Sequence, residues 1–135
     1  GMQTLRQLSF GLLDMAWHAH SNPAEISNVK TFEVAAFSGT QLYPETPETC
    51  MSTAFSHIFQ GGYSAGYYSY KWAEVLDADA FAYFQEEGIF NKKIADKFKT
   101  FVLSQGGTED PMELYIKFRG QKPNPDALLK RAGLI

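Results

Sequence analysis

The sequence predicts an all-α chain, and three observations carry that prediction. Apolar residues recur at helical spacing in several stretches, Asx-Pro pairs stand where helices begin, and no apolar/polar alternation runs long enough for a strand. The first helix is expected from Thr4 to about His18, where Leu5, Leu8, Leu12 and Met15 form one stripe. Phe10, Leu13 and Trp17 form a second stripe on another side of it. A helix apolar on two sides is usually buried on both, so one side is expected to face something outside so small a chain. His18 and His20 fall at its end, where a cation suits the helix dipole, and are read as structural.

Three later starts share one device. Asn22-Pro23-Ala24-Glu25, Asp110-Pro111-Met112-Glu113 and Asn124-Pro125-Asp126 each place an Asx cap before a proline at the first helical position. In the first two, the glutamate at the third position can return a bond to the cap. Gly106-Gly107 is predicted to end the helix carrying Ile94, Phe98, Phe101 and Val102, and Gly133 to end the one carrying Leu128-Leu129. Between about Ser38 and Thr53 the periodicity disappears; Gly39, Pro44, Pro47 and several Thr and Glu mark a long surface loop.

A length of 135 residues suits one domain or one lobe of a larger one, and 44% hydrophobic residues are enough to bury a core. The net charge of −3 leaves no basic footprint, which argues against nucleic acid or an anionic membrane as partner. No stretch approaches the ~20 apolar residues of a membrane span. The single cysteine, Cys50, rules out an internal disulfide framework and reads as an incidental thiol. Gly1 before Met2 reads as the remnant of a cleaved tag, leaving 2–135 as the natural segment.

The densest chemistry lies in Phe55-Ser56-His57-Ile58-Phe59-Gln60-Gly61-Gly62-Tyr63-Ser64-Ala65-Gly66-Tyr67-Tyr68-Ser69-Tyr70-Lys71-Trp72. If this stretch is helical from about Tyr63, then Tyr63, Tyr67 and Tyr70 share one face at i, i+4 and i+7. Three phenols in line offer hydroxyl donors on apolar bodies, suited to polarising carbonyls or gripping a peptide backbone. Tyr68, Trp72 and Val75 fall on another face and are expected in the core. Gly61-Gly62 permits backbone conformations closed to other residues and close approach of a ligand. Gly66, inside the expected helix, costs about 1 kcal/mol against Ala, which points to a tight packing contact. His57 can fold back over the tyrosine face and donate to a developing oxyanion. Spacing alone fits the half-buried face of a structural helix better than it fits a site.

This segment resembles the thimet oligopeptidase, oligopeptidase A and peptidyl-dipeptidase family of zinc metallopeptidases. The likeness rests on Phe55-Ser56-His57-Ile58-Phe59, Gly61-Gly62-Tyr63, Ala65-Gly66-Tyr67-Tyr68-Ser69-Tyr70 and Trp72-Ala73-Glu74-Val75-Leu76-Asp77-Ala78-Asp79-Ala80-Phe81. It extends to Leu5-Arg6-Gln7-Leu8-Ser9-Phe10-Gly11-Leu12-Leu13-Asp14 upstream. Downstream it includes Gly88-Ile89-Phe90-Asn91, Leu103-Ser104-Gln105-Gly106-Gly107, Phe118-Arg119-Gly120 and Leu128-Leu129-Lys130-Arg131-Ala132-Gly133-Leu134. The resemblance implies a helical bundle forming one lobe of a zincin-like oligopeptidase catalytic domain. There one zinc is held by the two histidines of an HExxH helix and a later glutamate. It further implies that His57 and Tyr70 lie near the scissile carbonyl as catalytic oxyanion donors, and that Tyr63, Tyr67, Gly61 and Gly62 bind substrate.

One departure matters most. The chain contains no His-Glu dipeptide, hence no HExxH, and His18, His20 and His57 offer no i, i+4 pair for such a site. The expectation is therefore the C-terminal segment of a cytoplasmic peptidase acting on short peptides. Zinc is expected in the parent, no metal is expected on this chain, and the chain alone is expected to be inactive. The alternatives are a stand-alone helical module that binds peptide without cleaving it, and an oligomerisation module dimerising through surfaces exposed by truncation.

Overall fold

The starts and stops legible in the chain become seven α-helices in the computed structural model, which describes residues 1–135 and contains no strand. Helix α1 spans Met2–Ala19, α2 Val29–Phe37, α3 Met51–Ala54 and α4 Ser69–Glu87. Helix α5 covers Lys92–Lys97 and widens into a π-helical stretch at Phe98–Ser104; α6 spans Pro111–Arg119 and α7 Asp126–Arg131. Single 3₁₀ turns occupy Pro23–Glu25 and Ser56–Ile58.

The Asx-Pro device works as predicted at two of its three places. Asp110 accepts the Met112 and Glu113 N–H groups at the head of α6, and Asn124 accepts the Asp126 N–H before α7. At Asn22 it does not cap a helix. The Asn22 Nδ2 donates instead to Glu25 Oε1 at 2.8 Å, and the chain makes only a 3₁₀ turn. Helix α2 starts later, capped by Asn28, which accepts the Thr31 N–H at 2.9 Å. Gly133, at φ +69°, closes α7 as Leu134 N–H donates back to the Leu129 carbonyl.

The chain divides into two units, Gly1–Lys71 and Trp72–Ile135. In the first, Leu13, Ile58 and Tyr67 form the buried centre, with Phe10, Trp17, Phe37, Met51 and Phe55 packed around it. Only one of the two apolar stripes of α1 is therefore covered. Leu8, Leu12 and Met15 remain 40–46% exposed. Glu33, fully buried on α2, accepts the Met51 and Ser52 N–H groups and so caps α3, whose own cap position, Cys50, supplies no side-chain bond. Cys50 Sγ points at the same carboxylate from 3.6 Å. Lys30 pairs with Glu33 and, at 2.7 Å, with Glu45 of the irregular loop, tying that loop to α2.

In the second unit Phe118, fully buried, is ringed by Tyr83, Phe84, Phe98 and Tyr115 with centroids 5.3–6.3 Å away. Ile94 joins this core, with Leu76, Ala80, Phe101 and Val102 packed against it; Val75, Ala78 and Leu114 are also buried. Trp72 and, in the first unit, Tyr68 do not join a core: they are 43% and 59% exposed, while Val75 is buried as predicted.

Candidate functional site

The backbone between Tyr63 and Tyr68 is not helical; α4 begins only at Ser69. Ala65 takes φ +55°, a left-handed conformation that costs an L-residue roughly 1–2 kcal/mol and cannot continue a right-handed helix. Its N–H and that of Tyr67 donate at 2.9 and 2.8 Å to the two carboxylate oxygens of Asp14 on α1. Those amides are satisfied from across the unit, so the local drive toward helix is removed. A run of i to i+3 turns results, with Gly66 N–H on the Tyr63 carbonyl and Ser69 N–H on the Gly66 carbonyl. Gly66 thus carries no helix penalty. It is not tightly packed either, since a Cβ there would lie 3.5 Å from its nearest neighbour, the Tyr63 carbonyl oxygen.

The turn nevertheless gathers the three tyrosines. Tyr63 and Tyr70 stack at 5.4 Å with their planes 9° apart, and Tyr67 lies 5.1 Å from Tyr70. His57, at the 3₁₀ turn before the glycines, packs edge-to-face on Tyr63 at 4.5 Å, Tyr67 at 5.5 Å and Tyr70 at 6.0 Å. Its Nε2 lies 3.4 Å from the Tyr70 hydroxyl, a long contact that a better acceptor can replace. Ser64 Oγ donates to the Ile58 carbonyl at 2.8 Å, closing the loop between His57 and the tyrosines.

The members differ in exposure. Tyr67 is buried at 8% and its hydroxyl donates to Gln7 Oε1 at 3.3 Å, so its ring is the floor of the cluster. His57 and Tyr70 stand at the surface. The hydrogen bond with Tyr63, together with partial burial and the neighbouring phenols, raises the Tyr70 hydroxyl above the ordinary tyrosine range. It therefore stays protonated, a donor, at neutral pH. Gly61, at φ +77°, adopts a conformation that disfavours other residues. The space around Gly61 and Gly62 is open, with nothing within 4 Å of a Cβ built at either.

A groove of about 170 Å³ flanks the cluster, lined by Tyr67, Tyr70, Gln7, Leu8, Leu12 and Met15. A separate cavity of about 560 Å³, bordered by Lys30, Glu33, Phe37, Tyr43 and Met51, lies under the irregular loop and includes none of the predicted site residues. Being merely roomy, it has no group placed for the chemistry of the cluster. Sequence reasoning assigned no part to Asp14 and Gln7, which hold the turn and the floor. Their available signal was weak: a lone carboxylate beside Leu13, on the helix face that Phe10 and Trp17 bury.

The sequence profile of Peptidase family M3 matches residues 1–134, and the chain belongs to that family of peptidases. Among its relatives is oligopeptidase A of Escherichia coli (strain K12), 45% identical over 130 residues that make up 96% of this chain and 19% of that protein. The probable cytosolic oligopeptidase A of Arabidopsis thaliana is 40% identical over 139 residues, covering all of this chain and 20% of that one. Dipeptidyl carboxypeptidase of Escherichia coli (strain K12) is 36% identical over 135 residues, 99% of this chain and 20% of the relative. The chain thus spans about a fifth of the length of the curated relatives it matches. No helix is long and apolar enough to cross a membrane.

Proposed function

We propose that this chain supplies the oxyanion- and substrate-binding wall of the cleft of a zinc-dependent oligopeptidase or peptidyl-dipeptidase that hydrolyses short peptides. The observation that carries the reading is the convergence of Tyr70 Oη and His57 Nε2, the latter a donor in its Nε2–H tautomer, 3.4 Å apart at an exposed aromatic edge in a peptidase-family chain. Both can reach one carbonyl oxygen as it gains negative charge, the oxygen taking the place of their contact with each other. Tyr63, stacked on Tyr70, offers a further hydroxyl to the peptide backbone, and Tyr67 supports both from beneath. The open ledge at Gly61 and Gly62 lets an extended backbone approach.

The residues present do not fit the zinc site that the resemblance implies. No group of three His, Cys, Asp or Glu side chains is arranged to hold a metal ion, and His18 Nδ1 is already engaged 2.8 Å from Asp14. On this reading the metal belongs to another part of the parent's catalytic domain, and this chain alone does not cleave peptides. The name of the cytosolic relative supports placing the parent in the cytoplasm.

The test is zinc-dependent cleavage of a quenched fluorescent oligopeptide, by this chain and by this chain joined to a family segment carrying HExxH. Activity only in the longer protein is expected, with Tyr70→Phe lowering kcat by about 10²–10³ and KM little changed. Chelator-sensitive cleavage by the short chain alone, or an unchanged kcat in Tyr70→Phe, overturns the reading.

A further inference from the structure

Building on the oxyanion-wall reading, we propose that Asp14 is a positioning residue, the latch that holds the tyrosine turn in the shape that presents Tyr70 and His57. Asp14 sits fully buried on α1, one residue beyond Leu13 in the core. A carboxylate confined there is retained only with partners, and it has three. Oδ1 accepts the Ala65 N–H at 2.9 Å, Oδ2 accepts the Tyr67 N–H at 2.8 Å, and His18 Nδ1 lies 2.8 Å from Oδ1.

The two backbone donors flank Gly66, in the middle of the stretch from Tyr63 to Tyr70. A two-oxygen acceptor can satisfy both at once. A carboxamide has one acceptor oxygen and would turn its NH₂ toward the other N–H. The latch also acts where the backbone resists. Ala65 is in the left-handed region, and the Asp14 acceptor at its N–H helps offset the cost of that shape. Gln7 and Gly11 on the same helix reinforce the register. Gln7 holds the Tyr67 hydroxyl, and a Cβ at Gly11 would lie 3.8 Å from the Tyr68 Cα. If the turn relaxes toward helix, Tyr63 no longer stacks on Tyr70 and His57 loses its edge-to-face seat. The separation between the two donors is then no longer set.

The experiment compares Asp14→Asn and Asp14→Glu with the unchanged 135-residue chain by NMR, with circular dichroism as the check on folding. Two signals report the latch without any substrate: exchange of the Ala65 and Tyr67 amide protons, and the His57 ring-proton shifts set by the three nearby tyrosine rings. In folded Asp14→Asn, exchange at Tyr67 is expected to speed up by roughly 10–100-fold, the scale of a hydrogen bond to a charged group. The His57 resonances should move toward those of free histidine, with Asp14→Glu between the two. The Ser52 amide, held by Glu33, should stay protected in all three proteins.

Unchanged His57 shifts and Tyr67 protection in folded Asp14→Asn overturn the proposal. If that variant does not fold, the unchanged chain decides: Ala65 and Tyr67 amides exchanging as fast as open loop amides also overturn it. In the HExxH-bearing protein, Asp14→Asn should lower kcat by at least about tenfold, with partial recovery in Asp14→Glu. A kcat equal to that of the parent overturns the positioning role even where the NMR signals move. If the parent itself cleaves nothing, the oxyanion-wall reading falls, while the NMR signals still decide the latch.

Discussion

The molecule contains two aromatic clusters of similar density, and their polar atoms end in opposite places. Around Phe118 four rings close over a fully buried centre, and the one hydroxyl among the two buried rings, that of Tyr115, donates to Asp79 at 2.6 Å. Arg119 then covers the carboxylate from 3.5 Å while lying 4.7 Å above the Tyr83 ring, and reaches Glu86 at 3.0 Å. Around His57 the rings stand at comparable distances, yet Tyr70 is 41% exposed and its hydroxyl turns to an imidazole that is itself at the surface. Aromatic density alone does not separate a core from a site. The fate of the hydroxyl does: engaged by a buried carboxylate it specifies packing, and left at an exposed edge it can be given to another molecule.

The comparison can be broken most directly at Phe118. Phe118→Ala is expected to destabilise by about 3–5 kcal/mol, read from urea unfolding of the second unit, because it empties a site ringed on all sides. A loss near that of a surface substitution would mean the second cluster is not a closed core. Tyr115→Phe should cost about 1–3 kcal/mol by removing the hydroxyl that donates to the buried Asp79. Burial and the Asp79 hydrogen bond push the Tyr115 hydroxyl above the ordinary tyrosine range. Its contribution is therefore complete below the unfolded tyrosine value of about 10 and is lost as pH climbs through the folded value. Tyr115→Phe should flatten that alkaline loss in a stability-versus-pH series.

The first unit has a closed polar site of its own in Glu33, which sharpens the contrast. Burial by itself would raise the Glu33 pKa, but the Ser52 and Met51 N–H groups, with Lys30, outweigh it and leave the carboxyl below the usual range. Its stabilisation is present above the unfolded glutamate value of about 4.3 and disappears as pH falls through the folded value. Glu33→Gln should cost about 1–3 kcal/mol at neutral pH and flatten the acid limb of unfolding. The smallest effect on stability is expected at Tyr70→Phe, within about 0.5 kcal/mol by thermal unfolding, since its hydroxyl is spent on no buried partner. A loss as large as that of Tyr115→Phe would make the two clusters alike and remove the reason for treating one as a site.

Reading the sequence grouped the tyrosines that the fold brings together, by way of the wrong backbone. Helical spacing from Tyr63 correctly grouped Tyr63, Tyr67 and Tyr70, but the grouping comes from a turn, and the helix starts at Ser69. The decisive partner, Asp14, is 51 residues from Ala65, and no local propensity carries that distance. Tyr68 and Trp72 were expected in a core for the same reason: once the start of α4 moves, the face assigned to Tyr68 no longer exists. The Asn22 start failed more simply, because its side chain found Glu25 before it found a backbone N–H.

The sequence by itself determined the helical class, the caps at Asp110 and Asn124, the break after Gly133 and the family, since each depends on residues near one another in the chain or on a contiguous pattern. Tertiary structure alone decided which stripe of α1 is covered and which aromatic cluster is closed. It also decided that Asp14 and Glu33, two acids on apolar helix faces, hold backbone amides of distant segments. The physical reason is common to all of these. A buried carboxylate or an uncovered apolar stripe acquires meaning only from what packs against it, and that partner is fixed by the folded chain as a whole.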